Sequence, residues 1–233
     1  MSPSKSPPIA NQLLAYLPKK DYQGLQHYLE EVPLVFETTV YNAGDLISDV
    51  FFPNSGIVSL LAGANERATL EVGLVGKEGM VGLSAFLGVS SSLNHAVVQG
   101  AGSAMKMKAT ALRKECNNGG ALPRILQRYA HSVLTQITLA AVCNQFHSID
   151  ARLARWLLMT HDRIGDDEFQ LTQEFLSNML GVRREGVSKA ASDLQKRKLI
   201  SYSRGRLKVL DRSGLQASSC GCYQIIRDES YVV

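Results

Sequence analysis

No stretch of this 233-residue chain approaches the ~18 consecutive apolar residues of a membrane-spanning helix. That excludes a helical membrane protein and removes the membrane as an expected partner. Residues 1–12 lack the apolar core of a secretory signal and read as a disordered tail. These absences together point to a cytoplasmic protein. Cysteine is scarce: Cys116, Cys143, Cys220 and Cys222 are too few and too scattered for a disulfide framework. Cys220-Gly221-Cys222 is a close thiol pair, but without an evident second Cys/His pair of zinc spacing it reads as part of a flexible C-terminal tail, and no metal is expected. The five histidines (His27, His95, His131, His147 and His161) are dispersed and read as structural or exposed. Gly76-Lys77-Glu78-Gly79 has the wrong spacing for a phosphate-binding loop and reads as a β-turn. No nucleophile–base or paired-carboxylate pattern stands out, so no enzyme and no cofactor are expected.

What is present is a core and an asymmetric charge. Hydrophobic residues make up 45% of the chain, enough for one or two packed domains. The net charge is only +4, but it is unevenly spread. Residues 1–120 carry nine basic and ten acidic side chains, whereas 121–233 carry sixteen and eleven. A near-neutral front half and a basic rear half suggest a sensor or scaffold joined to a binding module.

Residues 11–31 read as a short helical lead-in. From Pro33 to Leu112, short runs rich in β-branched and aromatic residues alternate with glycine-containing turns. The expected strands are 32–41, 46–52, 56–61, 68–75, 96–98 and 104–107, and their number and spacing indicate a β-sandwich or roll. Residues 122–147 form the clearest helix, with Pro123 suited to its first turn. Leu126, Tyr129, Val133, Ile137 and Ala140 recur near heptad spacing and are the expected dimer seam. Ser148 or Asp150 can cap a further helix, 151–163. The expected divisions are a tail and lead-in (1–22), a β-roll (23–120), a dimerisation helix (121–147), a winged helix-turn-helix (148–215) and a C-terminal tail (216–233).

The segment from Leu171 to Lys198 is the most informative. Thr172 suits an N-cap, with Leu171 and Leu176 placed as a hydrophobic staple around it. Phe175, Leu176, Met179 and Leu180 give the first helix one apolar face, and Gly181 suits a left-handed stop. Val187, Ala190, Ala191 and Leu194 give a second helix its own apolar face. The opposite face carries Arg184, Glu185, Ser188 and Lys189. This is a helix-turn-helix pattern, whose second helix lies in the DNA major groove. A guanidinium can bond guanine O6 and N7, and a carboxylate can accept from cytosine N4. Two short strands, 199–202 and 207–210, then flank the Arg204-Gly205 turn. From Gly181 to Arg212 there are ten Lys/Arg against three Asp/Glu, which suits contact with phosphates. The expected DNA contacts are Thr172, Arg183, Arg184, Glu185, Ser188, Lys189, Arg204, Arg206 and Lys208.

A glycine-punctuated β-roll, a long helix and a winged helix, in that order, resemble the Crp/Fnr family of bacterial transcription regulators. The likeness is strongest over 181–189, where the family typically shows Gly-x-Ser-Arg-Glu-x-Val-Ser/Gly-Arg. Arg184, Glu185 and Lys189 match its base- and phosphate-contacting positions, while Arg183 replaces a capping serine and Gly186 a threonine. The resemblance implies an α+β chain: a cyclic-nucleotide-binding-like jelly roll, a dimerisation helix and a winged helix-turn-helix. It implies double-stranded DNA, a second copy of the chain and RNA polymerase as partners. At the family's nucleotide site the counterparts are Gly82, Leu83, Asn94, His95 and Ala96, so the ribose-binding carboxylate and the phosphate-binding arginine are both missing. Tight cyclic-AMP binding is therefore not expected. No cysteine precedes Cys116, which also argues against the N-terminal iron–sulfur cluster of the oxygen-sensing branch.

Two rivals stand beside this reading. One is a regulator controlled by a non-nucleotide ligand or a cyclic dinucleotide: a small organic molecule, haem or a dinucleotide in the roll. The other is a protein-interaction module whose basic wing meets an acidic protein.

Overall fold

The structure, a computed structural model, describes residues 9–65 and 68–230. The first part of the expected N-terminal tail (1–8) and the end of the C-terminal tail (231–233) lie outside the described residues. Where the tail enters the fold it is anchored. Asn11 is buried, accepts from the Leu14 N–H, and donates through Nδ2 to the carbonyls of Pro53 and Gly79. It caps α1 (Gln12–Ala15), which is followed by α2 (Lys19–Leu25).

Seven strands make the roll: β1 (Glu30–Leu34), β2 (Thr39–Tyr41), β3 (Asp49–Pro53), β4 (Ile57–Asn65), β5 (Ala68–Val75), β6 (His95–Gly100) and β7 (Gly102–Lys108). A short helix, α3 (Leu83–Phe86), interrupts them, and α4 (Ala109–Asn117) closes them. Two antiparallel sheets result, in the orders β1-β7-β3 and β2-β6-β4-β5. The expected strand 32–41 is split in two. Glu37 adopts a positive φ of 62°, and the chain crosses from the first sheet, where β1 pairs with β7, to the second, where β2 pairs with β6. A run of β-formers does not reveal which sheet each half joins.

The second sheet is covered on both faces because neighbouring residues point opposite ways. Val58 and Val75 join Val50, Phe52 and Met107 in the core of the roll. Ile57 and Leu74 point outward, into a second core built by the C-terminal half. That half begins with α5 (Leu122–Phe146) and α6 (Ile149–Ile164), the latter capped by Ser148. It continues with β8 (Glu168–Gln170), α7 (Gln173–Leu180), α8 (Arg184–Lys196), β9 (Ile200–Ser203), β10 (Arg206–Val209), α9 (Arg212–Ser218) and α10 (Cys222–Ser230). The apolar core thus runs across the boundary expected near 147–150.

Polar contacts cross the same boundary. Arg163 of α6 donates to Glu78 in the Gly76–Gly79 turn at 2.7 Å. Trp156 Nε1 donates to the buried Glu71 Oε1 at 2.8 Å. Ser59 Oγ lies 2.8 Å from Glu71 Oε2 and 2.6 Å from Gln99 Oε1. One hydroxyl proton cannot serve two acceptors. Turning the Gln99 amide so that its otherwise unpartnered Nε2 donates to Ser59 lets the Ser59 hydroxyl donate to Glu71. Burial pushes the Glu71 pKa up to about 7, against the opposing effects of the Ser59 and Trp156 hydrogen bonds and of the Arg155 charge.

The segment from 216 on was expected to be a tail. Over the described residues 216–230 it is mostly helical and packed instead. Tyr223 and Ile226 are buried, the Tyr223 hydroxyl donates to Asp162 at 2.7 Å, and Arg212 bonds both groups. Its apolar positions are only three residues apart in a polar stretch, a signal too brief to read without the partner face.

Candidate nucleic-acid interface

The turn between α7 and α8 forms as its residues dictate. Thr172 Oγ1 accepts from the Phe175 N–H at 3.0 Å, and Leu171 and Leu176 are both buried. Gly181 takes φ +60°, ψ +39° and stops α7. Arg183 occupies the N-cap of α8 in extended conformation, without the side-chain cap a serine would supply. Buried Arg152 reaches from α6 to the Leu180 carbonyl and to Asn144, so it occupies an acceptor left free at the end of α7. Gly186 has a packing role. A Cβ there would sit 2.9 Å from Ile149 Cδ1, so the glycine lets α8 approach the start of α6.

The sequence-predicted DNA contacts come together on one side. Arg183, Arg184, Glu185 and Lys189 are exposed or half-buried on the first two turns of α8. Ser188 is half-buried and donates to Gln173 Oε1 at 2.9 Å, and Arg184 Nε donates to the same oxygen at 3.4 Å. Gln173, not singled out from sequence, thus ties the first turn of α7 to the leading face of α8. A glutamine one residue past a cap was the available signal. Thr172, Gln173, Arg184, Tyr202, Arg204 and Gly205 line a shared cleft between the helices and the hairpin. Tyr202, also unnoticed in the sequence, donates to the Leu171 carbonyl at 2.9 Å and fixes the hairpin to α7. Burial raises its phenol pKa, and the nearby Arg184 charge opposes that rise.

The hairpin belongs to a three-stranded sheet, β8-β10-β9. No residue pattern announces β8, three residues with a single buried side chain, Phe169. Arg204 and Gly205 both have positive φ (52° and 76°), the conformation of a tight two-residue hairpin turn. On β10, exposed Arg206 and Lys208 alternate with buried Leu207 and Val209. Arg206 has a 4.0 Å contact with Glu168. Among the described residues, no carboxylate lies within ion-pair distance of Arg183, Arg184, Lys189, Arg204 or Lys208. A cluster of uncompensated cations around a groove-sized helix is suited to a polyanion.

Residues 151–218 match the family model of the Crp-like helix-turn-helix domain. The match covers this C-terminal segment and does not extend to the roll. The chain superposes on FixK2 of Bradyrhizobium japonicum with a TM-score of 0.71 at 16% identity, covering 83% of this chain and 98% of that one. The c-di-GMP-responsive global regulator CLP of Xanthomonas campestris gives 0.67 at 16% identity, covering 82% and 99%. A Crp-family transcriptional regulator of Thermus thermophilus gives 0.65 at 20% identity, covering 81% and 96%. At these identities the structural likeness speaks to the fold. No curated protein matches the chain significantly.

Two further sets of predicted residues behave differently. Gly82, Leu83, Asn94 and Ala96 line a cavity of about 270 Å³ between the roll and α5, with Tyr41, Met80 and Val133 among its other walls. His95 does not line it; its ring lies beside the backbone N–H of Ala43. None of the lining residues is charged. The expected dimer seam needs correction. Leu126, Tyr129 and Ala140 are buried against their own subunit, and Tyr129 donates to the Met80 carbonyl. Val133 is half-buried, and Ile137 alone of the five is exposed. Two apolar stripes share this helix, and heptad spacing fitted the inward one. The more exposed stripe runs through Leu134, Ile137 and Ala141, with Leu134 63% exposed, and Leu134 and Ile137 also edge the cavity.

Proposed function

We propose that the chain regulates transcription as a homodimer that reads a roughly palindromic duplex site. One observation carries this: Arg184 and Glu185 stand exposed on the first turn of α8, flanked by cations with no carboxylate partner among the described residues. An Arg–Glu pair at that position can bond guanine and cytosine edges together, while Arg204, Arg206, Lys208 and Lys189 meet phosphates. The outward stripe on α5, centred on Leu134 and Ile137, is the seam that sets the separation of two recognition helices about one DNA turn apart. In this reading residues 23–120 form the sensing unit, 121–147 join the dimer, and 148–215 bind DNA. The location is cytoplasmic, and RNA polymerase is the downstream partner.

Selection from random duplexes, followed by footprinting, tests the proposal. An enriched inverted repeat is expected, with binding that falls steeply as salt rises. Failure to enrich any sequence, together with tight binding to an acidic protein, would favour the interaction-module reading instead.

The cavity supports a second reading, control by a ligand. Its uncharged lining offers nothing to compensate a phosphate, which disfavours cyclic AMP and cyclic dinucleotides and suits a small apolar molecule. Titration calorimetry with cyclic AMP is expected to show no heat of tight binding; micromolar affinity would overturn that expectation.

A further inference from the structure

The structure assembles a set of side chains that the regulator reading does not use. Cys143 and His147 lie four residues apart at the last turn of α5, where the His147 N–H bonds the Cys143 carbonyl. That spacing puts both side chains on one face. The Cys220-Gly221-Cys222 segment, at the start of α10, packs against this face. Cys143 Sγ is 3.4 Å from Cys220 Sγ, and Cys222 Sγ is 3.9 Å from His147 Nδ1. All four ligand atoms lie within 4.8 Å of one another.

We propose that Cys143, His147, Cys220 and Cys222 form a structural binding site for a single tetrahedral metal ion of the zinc type. Zinc binds thiolate at ~2.3 Å and imidazole at ~2.0 Å, so the ligand atoms of a three-sulfur, one-nitrogen set sit roughly 3.5–3.8 Å apart. The 3.4 Å Cys143–Cys220 and 3.9 Å Cys222–His147 separations flank this range, and every pair lies within 4.8 Å. The ligand set, three sulfurs and one nitrogen, is a known closed structural combination. The three cysteines are buried and His147 is half-buried, so the site leaves no wide mouth for a substrate. A pairwise disulfide accounts for Cys143 and Cys220 but not for the convergence of His147 and Cys222.

Binding releases three thiol protons to solvent and leaves three thiolates, a neutral imidazole and a divalent cation, a net charge of −1. The surroundings suit that charge. Arg155, one turn into α6, favours the ionised form of all three thiols. Its buried Nε has no hydrogen-bond partner among the described residues, which makes it a ready donor to a thiolate sulfur. The ion would tie the end of α5, the α5–α6 junction and the start of α10 together. It would thereby stiffen the joint between the dimer helix and the DNA-binding half. The sequence hid this site because Cys143-x-x-x-His147 lies within an apolar helix, more than seventy residues from the thiol pair.

The test uses the full chain purified under reducing conditions. Elemental analysis is expected to find one zinc per chain. Cobalt(II) replacing it is expected to give tetrahedral ligand-field bands and thiolate-to-metal charge transfer. Cys143→Ser and Cys222→Ser should each weaken metal retention against a chelator by at least about tenfold, while Cys116→Ser should leave it unchanged. Tyr223, Asp162 and Arg212 hold α10 independently, and circular dichroism checks that each variant is folded. The wild-type cobalt spectrum decides the matter even where a variant does not fold. Absence of bound zinc and of the cobalt spectrum in reduced wild-type protein overturns the proposal. So does full metal retention by a folded Cys143→Ser/Cys220→Ser double variant.

Discussion

The cavity beside α5 and the surface of α8 have opposite chemistries. The cavity is walled by apolar and neutral side chains. The leading face of α8 and the adjoining hairpin carry cations that mostly lack counter-charges among the described residues. An exposed guanidinium stays solvated in the free protein and can exchange water for phosphate or base edges on binding. A buried cation has no such reservoir and must be paired at once. A cavity without charged lining groups is stable with apolar and neutral walls. The binding helix can keep its charges at no such penalty. The two regions sit on separate cores that meet across the second sheet, and the Glu71–Trp156 and Glu78–Arg163 contacts cross between them, so packing changes at the cavity have a physical route to α7 and α8.

The largest expected effect concerns the two stripes of α5. Leu134→Asp should dissociate the dimer, seen as a monomer mass in sedimentation, and abolish binding to paired half-sites while the fold persists. An unchanged dimer mass would place the seam elsewhere. Leu126→Ala, on the inward stripe, should instead cost ~2–5 kcal/mol in denaturant unfolding. Next in size, Arg184→Ala should lose ~1–3 kcal/mol of discrimination at one base pair; an unaltered preference in a selection experiment counts against Arg184 as a base reader.

The Glu71 contact predicts a pH effect at the join between the halves. Its folded-state pKa of about 7 lies above its ordinary 4.5. The native state therefore binds the proton more tightly, and the contribution is full below pH 4.5 and is lost as pH rises to about 7. Glu71→Gln should remove this component, read as a flatter dependence of melting temperature on pH over that window. An identical slope in wild type and variant would refute a raised Glu71 pKa. The smallest effect is expected for Lys208→Ala, which should weaken all duplexes alike and lower the salt slope by about 1. Sequence-selective loss would move Lys208 from phosphate to base contact.

Much of this was readable residue by residue. Local rules define the Thr172 cap, the Gly181 stop and the Arg204-Gly205 turn, because each depends on a few neighbouring backbone groups. The exposed charges of α8 follow from helical spacing alone. The split of the strand at Glu37, the lone strand β8 and the packed helix α10 were not readable, since each is stabilised mainly by a distant surface. The exposed stripe of α5 was misplaced for a related reason. A helix that is apolar on two sides carries no local mark of which side its own subunit covers.

By itself, the amino-acid order determined the turns, caps and helix faces, and with them a charged helix that can enter a DNA groove, because those features arise from interactions a few residues apart. Only the tertiary structure decided which stripe of α5 stays exposed, why the Glu71 pKa is raised, and that Cys143 and His147 meet Cys220 and Cys222. Those depend on desolvation and on contacts between elements that chain connectivity leaves far apart.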